Sequence, residues 1–132
     1  MEYTKTVELD LTLDEAVPVV KDAFADQGFG TLTEIDVQAT LRDKLGEHVD
    51  PYLILGMCNP QLAHRAIGIE PAIGALLPCN VVLRSHDGRT LVQALDPTIM
   101  ATVAERDELN PVAAEASVRV EAALRQLTGE PA

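Results

Sequence analysis

The segment Leu53-Ile54-Leu55-Gly56-Met57-Cys58, closed by Asn59-Pro60, constrains this chain more than any other. From Pro51 to Cys58 it is almost continuously apolar, without the alternation of a strand that has one wet face, so it reads as an interior strand with both faces covered. Asn is a favoured helix N-cap and Pro suits the first helical position, so the strand should hand over directly to a helix running to about Ile67. Cys58 then sits at the positive end of that helix, a place where a thiol can be made reactive.

The flanking sequence supplies further elements. Tyr3, Lys5, Val7 and Leu9 alternate with Thr4, Thr6 and Glu8, the pattern of a first strand. Thr12 and Glu15 form a capping box, and Leu13, Ala16, Val17, Val20 and Phe24 repeat with helical period up to Gly28. Pro18 falls in the first two turns and is expected to bend the helix rather than end it. Phe29 to Val37 reads as a second strand with Thr31, Thr33, Ile35 and Val37 on one face and Leu32, Glu34 and Asp36 on the other. A short helix from Gln38 to Leu45 stops at Gly46. Cys79–Ser85 and Thr90–Leu95 flank His86-Asp87-Gly88-Arg89, and Asp-Gly between apolar runs is the strongest short hairpin signal. An irregular or partly helical stretch follows Asp96-Pro97. Asn110-Pro111 then opens a last helix whose apolar face is Ala113, Ala116, Val120, Ala123, Leu124 and Leu127, ended by Gly129.

The order strand, helix, four strands with small helical insertions, helix predicts an α+β fold: a largely antiparallel sheet with the two longer helices on one face, as a single domain over residues 1–132. With 132 residues the chain can bury roughly two thirds of its unfolded surface without a metal or disulfide staple. It has no Trp, two Phe and two Tyr, so its core must be aliphatic and no aromatic platform for nucleic-acid bases is available. A formal charge of −11 repels phosphate backbones and anionic lipid, which argues against nucleic-acid and membrane partners. No basic-then-apolar leader and no run of about 20 apolar residues is present, so a cytoplasmic location is expected, where two Cys do not make a disulfide framework.

Cys58, His64 and Cys79 are the only residues arranged like metal ligands, and they lack the fourth ligand and close Cys pairing of a structural zinc site. The same two Cys are the candidates for thiol catalysis, Cys58 as thiolate and Cys79 as resolving partner, although Cys-x-x-Cys is missing. Glu34 and Asp36, two apart on a strand, share a face, and paired carboxylates can divide acid and base work. Against each stands a plainer reading: buried Cys packs as a small apolar residue, His64 beside Arg65 marks a solvated helix face, and the carboxylates mark a wet sheet face. Gly28-x-Gly30 lacks the remainder of a dinucleotide loop, and neither a phosphate loop nor a Gly-x-Ser-x-Gly elbow occurs, so no cofactor and no resident metal is expected.

Gly28-Phe29-Gly30, Thr33-Glu34-Ile35-Asp36-Val37, Pro51-Tyr52-Leu53-Ile54-Leu55-Gly56, Cys58-Asn59-Pro60, Ala63-His64 and Leu76-Leu77-Pro78-Cys79-Asn80-Val81, in that order, resemble the family catalogued as domain of unknown function 302, over about residues 2 to 128. The resemblance implies a fold similar to the TATA-binding-protein-like group, with one strand, a helix, four strands and a helix. It implies no activity and no catalytic residues.

The expected function is a non-enzymatic binding or interaction module, acting as a homo-oligomer, most simply a dimer. Glu34, Asp36, Cys58, His64 and Cys79 would gather around a cleft for a small molecule. The alternative is a thiol-based redox or metal-binding protein using Cys58, His64 and Cys79.

Overall fold

The computed structural model describes residues 2–130. In chain order the elements are β1 (Thr4–Leu9), α1 (Leu13–Ala25), β2 (Gly30–Asp36), α2 (Val37–Leu45), β3 (Tyr52–Cys58), α3 (Pro60–Ile69), a 3-10 turn (Pro71–Leu76), β4 (Cys79–His86), β5 (Arg89–Leu95), α4 (Thr98–Ala104) and α5 (Asn110–Thr128). The strands form one open sheet in the order β1-β5-β4-β3-β2, antiparallel at every step, which gives the α+β class that the sequence predicts. At the β4–β5 turn Asp87 and Gly88 have φ of 51° and 78°, the positive pair that matches a tight hairpin to the twist of its strands.

The local signals in the first helix act as read. Thr12 Oγ1 accepts from the Glu15 backbone N–H at 3.2 Å and Glu15 Oε1 accepts from the Thr12 N–H at 2.9 Å, closing the capping box. Pro18 lies inside α1 without ending it. Thr90, fully buried at the start of β5, donates its hydroxyl proton to the Leu11 carbonyl at 2.9 Å and pins the hairpin to the beginning of α1.

α1 and α5 cover one face of the sheet. Val20 and Phe24 of α1 and Val120 and Leu124 of α5 pack on Leu55, Met57, Val81, Leu83 and Val92 in one aliphatic core, where Phe24 and Phe29 meet edge to face with centroids 5.7 Å apart. A second core gathers α3, the 3-10 turn, α4 and the first half of α5 through Leu62, Ala66, Ile73, Ala101, Leu109 and Val112. Arg106 fastens it from outside, donating to Glu70, Glu108 and the Ile69 carbonyl at 3.0, 2.6 and 3.1 Å.

Two expectations about the strands are corrected. β3 was expected to be covered on both faces, but only Leu53, Leu55 and Met57 pack into a core. Tyr52 and Ile54 point the other way, lie half-buried, and belong to neither core. The all-antiparallel sheet can leave that face outside both cores, which a parallel sheet could not. In β2 the pairing runs Thr31 with Met57 and then Thr33 with Gly56, so one extra residue bulges the edge strand. Thr31 therefore faces the helices and Thr33 faces away, instead of sharing a face. Beyond the bulge Glu34 and Asp36, opposite Leu55 and Leu53, do lie on one side, as expected.

Gly56 is required by that bulge. A Cβ there would collide with the Thr33 hydroxyl and stand 2.9 Å from Cγ of Pro78, whose peptide bond with Leu77 is cis. Gly56→Ala should therefore lower the urea-unfolding free energy by about 1–3 kcal/mol, the usual cost of overpacking. Gly30→Ala in the same sheet, with nothing within 4 Å of its added methyl, should change it by no more than about 0.5 kcal/mol.

Candidate functional site

β3 carries a concavity at each end. Six residue steps separate Tyr52 from Cys58, about 20 Å of strand, and the chain does something different on either side. At the Cys58 end, Asn59 accepts the Leu62 N–H on Oδ1 at 3.3 Å and starts α3, as its sequence predicts. Its Nδ2 also donates to the Gln27 carbonyl at 3.4 Å, and Arg119 of α5 donates to the same oxygen at 3.3 Å. One nearly buried amide thus joins the end of β3, the turn after α1 and the middle of α5.

Beside this junction lies an apolar cavity of about 40 Å³, walled by the end of β3, the start of β4, α3, α4 and α5. Cys58 and Cys79 both line it, with Met57, Met100, Leu62 and Val112 among the other walls. Met57 and Cys79 are direct partners across β3 and β4, which places Cys79 on the helix-covered face. The thiols are free. Burial pushes the Cys58 thiol up, and burial together with the neighbouring Cys58 pushes Cys79 up to about 11. These shifts run against the activation that the helix N-terminus suggested, because burial strips solvent from the thiolate.

The five residues expected to gather at one site divide into three groups. Cys58 and Cys79 share the apolar cavity. His64 is exposed on α3, whose buried side is Leu62 and Ala66, so helical phase turns the imidazole away from the thiols. Glu34 and Asp36 belong to the other end of β3, where antiparallel pairing necessarily puts the end of β2.

There an open cleft of about 510 Å³ runs between the start of α1, the end of β2, the start of β3 and the β4–β5 hairpin. Asp14, Glu34, Asp36, Tyr52, Ser85 and Arg89 are among its polar lining residues. The carboxylates have separate partners. Glu34 Oε1 is 2.8 Å from Nζ of Lys21, and Asp36 Oδ1 accepts the Ala39 N–H at 2.9 Å as the N-cap of α2. Standing about 6.6 Å apart along the strand, they act as two acceptors rather than as a contacting pair. Arg89 is held loosely, 3.5 Å from Glu8 and 3.9 Å from Asp10.

Sequence reasoning did not single out Ser85, Arg89 or Tyr52 at this cleft, nor Met57 and Met100 at the cavity. The hairpin signal sets Ser85 opposite Thr90 and His86 opposite Arg89, but only the separate β3–β4 pairing brings that turn to the start of β3. No signal in the sequence joins Met57 to Met100, which lie in a strand and a helix of separate segments.

An open antiparallel sheet with two helices over one face, polar at its hairpin end and thiol-lined at the other, defines a class of small α+β domains. The family described as "Domain of unknown function DUF302" matches residues 3–127, and the chain belongs to it. Among solved structures it is similar to the crystal structure of an uncharacterized conserved DUF302 protein from Bacillus stearothermophilus. The two are 27% identical with a TM-score of 0.90, covering 96% of this chain and 99% of that one. Among curated proteins none matches.

Three outcomes follow from this end of the molecule. Asn59→Ala should lower stability by about 1–3 kcal/mol in urea unfolding, and Asn59→Asp, which keeps the cap but loses the donor to Gln27, should fall between it and the wild type. Because the folded thiol of Cys79 titrates above its ordinary value near 9, its contribution to stability is complete below that pH and is lost as pH rises through about 11. Denaturation measured across this window should show a decline that Cys79→Ala removes. Iodoacetamide at pH 8 should modify Cys58 before Cys79, and both more slowly than free cysteine.

Proposed function

We propose that this DUF302 chain is a non-enzymatic, cytosolic, homo-oligomeric module that binds a small polar molecule in the cleft at the hairpin end of its sheet. The observation that carries this reading is the cleft itself: about 510 Å³ falls in the range of small-molecule sites, whereas the apolar cavity of about 40 Å³ does not. Asp14, Glu34 and Asp36 outnumber the single Arg89, so the ligand carries a positive group, an amine or guanidine, with hydroxyl or carboxylate functions for Ser85 and Arg89. The sheet face opposite α1 and α5 supports the oligomer. Ile54, Val82, Leu91 and Leu95 lie on it outside both cores, and Ile35 is 48% exposed. A second copy packed there would cover them. Among the described residues no helix is long and apolar enough to cross a membrane.

A thermal-shift panel of small amines, guanidines, carboxylic acids and neutral polyols tests the ligand class. A cationic compound should raise Tm, stabilising by about 2.7 kcal/mol at 100 times its Kd. Asp36→Asn, which keeps the α2 cap, should weaken that ligand's binding in calorimetry while leaving the apo Tm near the wild-type value. No response from any amine or guanidine, or equal affinity in Asp36→Asn and Glu34→Gln, would remove the cleft as the site. Light scattering checks the assembly: a dimer is expected, with Val82→Asp shifting it to monomer.

A further inference from the structure

We infer that the apolar cavity at the other end of β3 is a binding site for a small, uncharged apolar molecule of about three heavy atoms. This is independent of the cleft and of any ligand it takes. The space of about 40 Å³ holds about three waters, too little for a metabolite. Its walls come from separate segments, so the fold rather than a local motif creates it. Met57 ends β3, Cys79 starts β4, and Ala66, Ala101 and Ala113 stand on α3, α4 and α5. The alanines keep three helices close to the sheet end without filling the volume between them.

The lining decides the class of occupant. Asn59 brings the only side-chain amide, and both ends of it are committed, Oδ1 to the Leu62 N–H and Nδ2 to the Gln27 carbonyl. The Met57 sulfur already accepts the Thr31 hydroxyl proton at 3.3 Å. Met57 pairs with Cys79 but Cys58 pairs with Gly30, so the Cys58 side chain turns to the opposite sheet face and Cys79 carries the one thiol on the cavity side. Burial, and then Cys58, push that thiol up to about 11, so it is neutral at physiological pH. An ion therefore finds no counter-charge. A well-held water needs two to four polar partners, and these side chains have none to spare. Left empty, the walls forfeit contacts that an apolar molecule restores, and the flexible, polarizable thioethers of Met57 and Met100 can adjust to its shape.

Xenon and cyclopropane are the probes, followed through amide shifts in nitrogen–proton correlation spectra of the full chain under gas pressure. The wild type should show saturable shifts confined to the cavity walls, with Leu62, Ala66, Ala101 and Ala113 foremost, and should not respond to benzene, which is too large. Ala113→Val fills the space and should weaken xenon binding by about tenfold or more, with far-UV circular dichroism unchanged. Met100→Ala acts in the opposite direction: it should keep xenon and admit benzene, with a rise in Tm when benzene is added. Asp36→Asn should respond to xenon as the wild type does, which separates this site from the cleft. Equal xenon shifts in the wild type and folded Ala113→Val would overturn the assignment, as would the absence of any saturable response. So would shifts centred on Ile35 and Val82, which would move the gas to the outer sheet face, or a wild-type response to benzene equal to that to xenon.

Discussion

The burial of one face of β3 beneath α1 and α5 is the constraint from which the rest of the molecule follows. Leu53, Leu55 and Met57 point into the aliphatic core with Val81, Leu83 and Val92, and this fixes which way every neighbouring residue points, since side chains alternate along a strand. Slipping β3 by one residue would put Tyr52, Ile54 and Gly56 under the helices and expose the core residues instead. With few aromatics to contribute large buried areas, the core depends on many aliphatic contacts in register rather than on one or two large anchors.

That registration also explains why the two ends of the sheet differ in chemistry. At the hairpin end, strands run into turns and helix starts whose backbone groups need polar partners, so carboxylates, hydroxyls and a guanidinium collect there as an open, wet cleft. At the other end β3 passes straight into a capped helix. Asn59 satisfies the backbone groups at that junction, Arg119 shares its acceptor, and no described buried side-chain polar atom is left without a partner. The space beside the junction can then be lined by sulfur and hydrocarbon, with Asn59 as the one amide at its wall. A thiol in such surroundings is poorly suited to ionise, and both Cys58 and Cys79 are pushed up by burial.

Much of the fold was legible in the residues because the signals were local. The Thr12–Glu15 box, Asn59-Pro60, Asp87-Gly88 and the terminal glycines act within a few residues of themselves, and each does in the structure what it does in short-range physics. The family was legible from motifs in order. The β2 bulge was not, because nothing in Thr31-Leu32-Thr33 announces that its partner Gly56 leaves room for a threonine side chain. That the second face of β3 joins neither core was not legible either. A continuous apolar run has the same appearance whether its far side is covered by a helix or left half-buried in an antiparallel sheet. The candidate site was read in part: the two Cys do meet at one cavity, while His64 turns outward with its helix and Glu34 and Asp36 lie a strand length away.

The sequence by itself determined the elements, their order, the antiparallel hairpin, the aliphatic character of the core and the acidic surface, because each depends on periodicity, caps or composition. Tertiary structure alone decided which side chains share a surface. Met57, Cys58, Cys79 and Met100 become neighbours only through strand register and the placement of α4, and Ser85 and Arg89 meet Glu34 and Asp36 only because β2, β3, β4 and β5 run antiparallel. Contacts between distant segments are set by the global packing minimum, and no local pattern encodes them.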